Sequence, residues 1–139
     1  MKKCRIYDKH LKIIRDVKYI DFANKEVMYY ADEFEGNKDK ANFDIVRGFD
    51  EVNIMWSTGL KDKHGVEIYE GDIFRWTDSE TFDSEILSDV FVARYSDEFL
   101  KWIGENNNSY DDLYEFTDVR ELELIGNIYE NSELLEEVV

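Results

Sequence analysis

Short runs of apolar residues alternate with polar turns along most of the chain, and much of the alternation has the two-residue period of β-strands. Valine, isoleucine and aromatic residues, which favour strands, dominate these runs. The pattern predicts strands over residues 3–7, 12–22, 26–31, 45–47, 52–56, 66–69, 73–76, 90–95, 99–103 and 122–129. It predicts short helices over 110–116 and after Ser132, with 96–102 as an alternative helical turn. Polar connections are predicted over 32–42, 79–88 and 104–109.

These elements predict a mainly β fold. Short strands joined by tight turns must close on themselves or hide their edges, so we expect a small, strongly bent barrel or meander of the SH3-like kind. One or two short helices complete it, and an α+β arrangement is the alternative. At 139 residues the chain is expected to form a single domain over residues 1–139.

The strongest local prediction is a hairpin within residues 58–73. Asp62 and Gly65 stand at the first and fourth positions of a type I turn, where the aspartate side chain caps the backbone and glycine accepts positive φ. Gly71 and Asp72 then redirect the chain into the next strand. After the turn, one set of side chains is expected to be buried and another to face water: Val66, Ile68 and Tyr69 inside, Glu67 and Glu70 outside.

Residues 58–73 also resemble the signature of the YopX protein family, small proteins of bacteriophages and prophages. The segment Arg5-Ile6-Tyr7-Asp8 resembles the start of that family, and residues 124–135 resemble its carboxy-terminal block. His64 stands where the family usually has Asn, and Ser132 where it usually has Pro, and both residues fit turns. The resemblance implies a β-rich, YopX-like fold and a phage setting. It implies no catalytic residues, because the family has no established activity.

Within these matching segments we assign a structural role, in turns and hairpins, to the signature residues Thr58, Gly59, Leu60, Asp62, Gly65, Ile68, Tyr69, Gly71, Asp72, Gly126, Asn127 and Tyr129. The tryptophans Trp56, Trp76 and Trp102 are candidates for a surface that contacts a partner. Packing in the core explains each single tryptophan better than a partner surface does.

The formal net charge of −16 argues against binding to nucleic acid or to anionic membranes, since both need basic clusters. The charge is uneven. Residues 1–18 hold seven basic residues and two aspartates, a net of +5, so the remainder carries −21. This polarity predicts either packing of the basic segment on its own subunit or head-to-tail contact between subunits. The lone Cys4 and the lack of a signal-like apolar run favour the cytoplasm of a bacterial host.

No catalytic constellation stands out in the sequence, and no cofactor or metal is expected. The two histidines are isolated, and no Cys or His pair has ligand spacing. The carboxylates over 32–36 and at Asp111 and Asp112 lack an EF-hand pattern. We therefore expect a non-catalytic protein that binds itself or a host or phage protein. The alternatives are an acidic mimic of nucleic acid that occupies a basic site, and a metal-assisted hydrolase that uses carboxylates.

Overall fold

The structure is a computed structural model, which describes residues 3–30, 44–78, 87–118 and 122–136. Strands make up 60% of these residues, with two short helices and a curled half-barrel sheet. The mainly β prediction is therefore confirmed over the α+β alternative. The predicted polar connection over 32–42 lies outside the described residues, as do residues 79–86 of the connection predicted over 79–88. Its last two residues belong to the strand Leu87–Ser96, so the prediction is wrong there. None of the helices in the described part of the chain has the length and apolar run that crossing a bilayer requires.

The chain divides into two compact units, unit 1 (Met1–Trp56) and unit 2 (Ser57–Val139). The single domain expected from the sequence stays a prediction, because this division does not measure whether the units fold together. One long strand, Val52–Lys61, pairs within unit 1 through its first half and within unit 2 through its second half.

Unit 1 is built from antiparallel strands in two ladders. The strands are β1 (Cys4–Asp8), β2 (Ile13–Asp16), β3 (Tyr19–Asp21), β4 (Glu26–Tyr30), β5 (Asp44–Gly48) and the start of β6 (Val52–Lys61), with a 3₁₀ turn at Phe49–Glu51. The order β2-β1-β6 forms one ladder and β3-β4-β5 the other. Their inward-facing residues, chiefly Ile6, Val27, Tyr29 and Val52, form a core with 3% exposure or less.

The single strand predicted over 12–22 is wrong. Lys12 and Phe22 lie in turns, and the chain bends and changes partner at Val17 and Lys18, where it separates into β2 and β3. The amide of Val17 donates to the Cys4 carbonyl of β1, whereas that of Lys18 donates to the Met28 carbonyl of β4. The break is therefore set by strands elsewhere in the unit, not by local turn residues.

Unit 2 contains the end of β6 and a five-stranded antiparallel sheet in the order β11-β10-β9-β8-β12. The elements are β7 (Glu67–Tyr69), β8 (Asp72–Asp78), β9 (Leu87–Ser96), β10 (Lys101–Glu105), β11 (Tyr110–Asp112), α1 (Leu113–Asp118), β12 (Leu122–Asn127) and α2 (Glu133–Glu136). The helix predicted over 110–116 is thus half strand. The strand predicted from Phe99 begins at Lys101, and Phe99 is 41% exposed, so its predicted core position is wrong.

An aromatic cluster fills the core of unit 2. The rings of Phe74, Phe91 and Phe116 lie with centroids 4.7 to 5.6 Å apart, and Ile68, Leu113 and Leu122 pack around them. Gly104 gives these rings their space, because a Cβ there would stand 2.6 Å from Phe74 Cζ. Burial of each ring stabilises the fold by about 1.5–3 kcal/mol.

Candidate functional site

The predicted signature hairpin is present. The amide of Gly65 donates to the Asp62 carbonyl at 3.0 Å, and Gly65 has φ of +82°. Asp62 Oδ1 accepts the amides of His64 and Val66, both at 2.9 Å, so the side chain caps its own turn. Val66 is 51% exposed, contrary to its predicted burial, because it still belongs to the turn rather than to β7.

Asp62 also joins the hairpin to the last strand of the sheet. Its second oxygen, Oδ2, accepts the amide of Leu124 at 3.2 Å, and the Lys63 amide donates to the Leu122 carbonyl at 2.9 Å. The turn therefore covers the outer edge of β12. Both carboxylate oxygens are engaged and Asp62 is 8% exposed, which suits a structural role.

Three further signature residues shape the strand before the turn. Between Ser57 and Lys61 the register of β6 against β7 slips, so Thr58, Gly59 and Leu60 form a bulge. The Thr58 hydroxyl donates to the Ile68 carbonyl at 2.7 Å and accepts the Leu60 amide at 3.1 Å. The bulge thereby aims β6 into the hairpin.

The central and carboxy-terminal signature blocks meet in space. Asp72 pairs with Asn127 in the β8–β12 ladder, and the amide of Ile128 donates to the Gly71 carbonyl at 2.9 Å. Asp72 Oδ2 accepts the Tyr69 amide, and Asn127 Oδ1 accepts the amides of Tyr129 and Glu130. Segments more than fifty residues apart thus form one continuous structure.

Glycine is required where these two blocks touch. Gly71 is buried with φ of +87°, and a Cβ there would lie 3.4 Å from a ring carbon of Tyr129. At Gly126 a Cβ would lie 2.5 Å from Oδ1 of Asn131, a residue of the same carboxy-terminal block. Glycine at the first position leaves space for the side chain of Tyr129, and glycine at the second leaves space for that of Asn131.

Both blocks contribute to the wall of a cavity of about 390 Å³ in unit 2. Its floor is aliphatic: Val90 and Val92 of β9 lie on the sheet face opposite Phe91 and Ala93, and Leu135 of α2 and Ile128 close the far side. Polar groups surround this floor, namely Glu70, Arg94, Glu105, Asn106, Asn107, Asn108 and Tyr129. The volume falls within the range of sites that hold small molecules or peptide side chains.

The charges in the cavity wall are partly neutralised. Arg94 Nη1 lies 2.7 Å from Glu105 Oε1, and the two side chains are 61% and 32% exposed. Burial, with a smaller contribution from the Glu70 carboxylate, raises the pKa of the Tyr129 phenol, which is therefore protonated at neutral pH. The arrangement offers carboxylates and a hydroxyl beside an apolar surface.

Sequence reasoning found Gly71 and Tyr129 as signature residues but missed Arg94, Glu105 and Asn106. These three lie on β9, on β10 and in the loop that follows, and only the cross-strand register brings them together. The run Asn106-Asn107-Asn108 is the one local signal, since consecutive amide side chains are unusual outside loops with a structural task.

The candidate partner surface is less exposed than its three tryptophans suggested. Trp76 packs beside Phe116 with centroids 5.9 Å apart, and Trp102 packs beside Tyr95 at 5.3 Å. Both contact the core of unit 2. Trp56 is half-buried in the β1–β6 ladder of unit 1, and a partner surface formed by the three tryptophans stays a prediction.

A buried network in unit 1 centres on Asp8, the last residue of the amino-terminal resemblance. Asp8 Oδ1 accepts the amides of His10 and Leu11, and Oδ2 accepts the Tyr29 hydroxyl and Arg47 Nε. Burial opposes ionisation of this carboxyl, but the four hydrogen bonds outweigh it and hold its pKa below the usual value. Every acceptor direction is occupied, so the network is suited to stability and not to catalysis.

Three hairpins carry four-residue loops of the same form, over 9–12, 22–25 and 97–100. The last loop residue has positive φ in each: Lys12 at 57°, Lys25 at 54° and Leu100 at 54°. The residue before each loop, Asp8, Asp21 or Ser96, accepts a loop amide with its side chain. Such loops are commonly built on a type I turn, after which a left-handed residue returns the chain to the strand.

Two of these loops differ sharply in charge. The loop 9–12, here called the basic loop, is Lys-His-Leu-Lys, and its Leu11 is 49% exposed. The loop 97–100, the acidic loop, is Asp-Glu-Phe-Leu, and its Leu100 is 74% exposed. Each therefore presents a leucine among charges of one sign.

A metal site requires several ligand side chains grouped around one point. Within residues 3–30, 44–78, 87–118 and 122–136, no three His, Cys, Asp or Glu side chains are grouped so that they could hold a metal ion. Asp111 and Asp112 lie on β11, where Asp112 forms an ion pair with Lys101 at 3.4 Å. The acidic segment 32–36 lies outside the described residues.

Comparison with known proteins agrees with this architecture. The sequence model described as YopX protein matches residues 3–136. Among solved structures, the chain is similar to protein EF1440 from Enterococcus faecalis at 25% sequence identity and a TM-score of 0.59, with 97% of this chain and 98% of that chain covered. Comparison with curated proteins gives no match.

Proposed function

Because this chain belongs to the YopX protein family, we propose that it is a phage or prophage accessory protein that binds proteins and performs no catalysis. A second copy of the chain is its first partner. We place this activity in the cytoplasm of a bacterial host. The observation that carries the proposal is the pair of exposed hairpin loops with opposite charge.

The basic loop offers two lysines around an apolar residue. Lys9 and Lys12 are exposed, and Leu11 stands between them. Lys9 Nζ donates to the backbone carbonyl of Asp50 at 3.0 Å, and this contact is exposed. A carbonyl oxygen has no formal charge, so it does not neutralise the positive charge of Lys9. Long lysine stems cover apolar surface while the charges stay in water, which suits contact with an acidic, apolar partner.

The acidic loop offers the matching surface. Asp97 and Glu98 precede Phe99, whose ring stacks on Tyr110 with centroids 5.3 Å apart. Tyr110 is itself 57% exposed, so an aromatic surface continues from the loop onto β11. Contact between this surface and the basic loop of another copy would bury leucine and aromatic groups and pair opposite charges.

Leu100 gives an independent reason to assign contact to the acidic loop. An aliphatic residue with positive φ is strained, and the same position is occupied by lysine in the other two loops. Leu100 is 74% exposed, so packing within the chain gains little from keeping it. Backbone strain that no packing within the chain offsets is typical of residues that serve binding.

Light scattering coupled to gel filtration at about 0.15 M salt tests the proposal. The wild-type protein should have a mass well above the 16.6 kDa of one chain. The double substitution Lys9→Glu with Lys12→Glu should lower the mass, as should Asp97→Lys with Glu98→Lys. Combining all four should restore assembly, since the charges are then exchanged between the loops.

Two matched controls come from the third loop. Lys25→Glu reverses one lysine charge in a loop of the same form and should leave the mass unchanged. Leu100→Gly should weaken assembly without loss of thermal stability. Lys25→Gly should weaken neither assembly nor thermal stability. A monomer at tens of micromolar, or four substitutions that fail to restore the assembly lost in each pair, would refute self-association through these loops.

A further inference from the structure

We propose that the cavity of unit 2 binds a cationic group on an aliphatic stem. The cation is an ammonium or guanidinium ion, supplied by a basic side chain of a peptide or by a free alkylamine. The inference goes beyond self-association, because the cavity and the acidic loop are separate surfaces of unit 2. Its basis is the combination of an aliphatic floor, carboxylates at the wall and a net negative charge.

The floor matches the stem. Val90, Val92 and Leu135 present branched aliphatic side chains, and Val92 lies between Ile73 and Glu105 in the register of the sheet. A chain of three or four methylenes can lie along this row with its charged end at Glu105. Binding would remove apolar surface of both the stem and the cavity floor from water, and this favours such a stem over a purely polar ligand.

The charge of the wall selects a cation. The described lining residues include Glu70, Glu105 and Arg94, which together carry a formal charge of −1. The whole chain carries −16, so an anion would approach against the field of the protein.

Arg94 acts as an internal competitor for this position. Its guanidinium pairs with Glu105 at 2.7 Å, in the way that the ligand's cation would. Exposed ion pairs of this kind are weak, because water and salt screen them and two long side chains must be ordered. A ligand whose stem also contacts the aliphatic floor can therefore displace Arg94, whose side chain is 61% exposed and has room to move.

The wall is held in shape before a ligand arrives. Asn106 Nδ2 donates to Asp89 Oδ2 and to the Val90 carbonyl, and Asn106 Oδ1 accepts the amides of Asn108 and Ser109, both at 2.9 Å. On the other side, Gly71 donates to the Ala93 carbonyl at 2.8 Å. Because these hydrogen bonds already hold the wall, little conformational entropy of the wall is lost on binding, and this favours affinity for a small ligand.

Titration of the full chain followed by amide chemical shifts tests the proposal with three probes: butylammonium, butyrate and a blocked Gly-Lys-Gly peptide. Butylammonium or the lysine peptide should shift the amides of Gly71, Val92 and Tyr129 at millimolar concentrations, and butyrate should not. A stronger response to the peptide identifies a protein side chain as the source of the cation, whereas a stronger response to butylammonium identifies a free amine. Equal responses to butyrate and butylammonium, or none to either cation, overturn the proposal.

Two substitutions sharpen the result. Glu105→Gln should weaken binding of the cation about tenfold, which corresponds to one charge-assisted contact. Arg94→Gln should strengthen it severalfold, because the competing guanidinium is gone. Glu115→Gln and Lys101→Gln are the controls: the first removes an exposed carboxylate on α1 of unit 2, and the second breaks a comparable exposed pair between β10 and β11. Both should leave binding unchanged.

Weaker binding of the cation in Arg94→Gln would contradict the competition. Melting of each variant separates loss of binding from loss of the fold, and the Arg94→Gln result stands even where Glu105→Gln is unstable. Self-association is measured independently by light scattering, so failure of the cavity proposal and failure of the proposed function are distinguishable.

Discussion

Replacement of Asp62 tests the connection between the signature hairpin and the last strand. In Asp62→Asn, Oδ1 can still accept the turn amides of His64 and Val66. The second oxygen becomes an NH₂ group that faces the amide of Leu124, so two donors meet where one hydrogen bond of 3.2 Å stood. In Asp62→Ala the turn loses its cap as well.

The expected losses follow from these contacts. A hydrogen bond to a charged group contributes about 1.5–3 kcal/mol, and 3.2 Å is at the long end of the usual range, so the lower part applies to Leu124. Leaving that amide unsatisfied adds to the loss, which gives about 2 kcal/mol for Asp62→Asn. The exposed turn amides regain water in Asp62→Ala, so the cap adds only about 1 kcal/mol.

Urea denaturation and amide hydrogen exchange measure the two parts separately. For a chain of this length, 2 kcal/mol lowers the melting temperature by roughly 7 °C. Exchange at Leu124 should accelerate in both variants, while exchange at Val66 should accelerate in Asp62→Ala alone. An Asp62→Asn protein that unfolds at the wild-type urea concentration, with Leu124 still protected, would show that the hairpin does not stabilise β12.

Three further predictions concern other parts of the molecule. Gly65→Ala should cost about 1 kcal/mol through positive φ, and Gly71→Ala should cost more because its Cβ also crowds Tyr129; wild-type melting of both would remove the turn argument. The pKa of Asp8 is lowered in the folded state, so its stabilisation is complete above about pH 4 and is lost as the pH falls further. Stability of Asp8→Asn should therefore fall less steeply below pH 4 in an acid titration followed by circular dichroism. Neither DNA nor RNA should bind specifically at about 0.15 M salt in fluorescence anisotropy, and a sub-micromolar complex that tightens at low salt would disprove this.

Local features of the fold were accessible from the sequence. The turn at Asp62 and Gly65 depends on residues within four positions of each other, and turn chemistry is specific at that range. Strand positions were also largely correct, because a period of two and β-branched or aromatic residues act through nearest neighbours. Even the resemblance to a family depended on these turn residues.

Features that depend on distant partners were not accessible. The change of partner at Val17 is set by Cys4 and Met28, which no local pattern connects. In the register of the β9–β10 hairpin Arg94 pairs with Ile103 and Glu105 with Val92, which makes Arg94 and Glu105 diagonal neighbours on one face, and a slip of one residue would place them on opposite faces. The cavity was therefore invisible in the sequence, although two of its wall residues, Gly71 and Tyr129, were singled out for other reasons.

The order of strands in unit 2 has a consequence for synthesis of the chain on the ribosome. β8 lies between β9 and β12, yet β12 is made more than forty residues after β8. At a synthesis rate of about 20 residues per second, one side of β8 waits about two seconds for its neighbour. During that interval the backbone groups of an apolar strand are open to any extended segment nearby. A nascent chain arrested before Leu122 should therefore aggregate or bind a chaperone, whereas release after Asn127 allows the sheet to close.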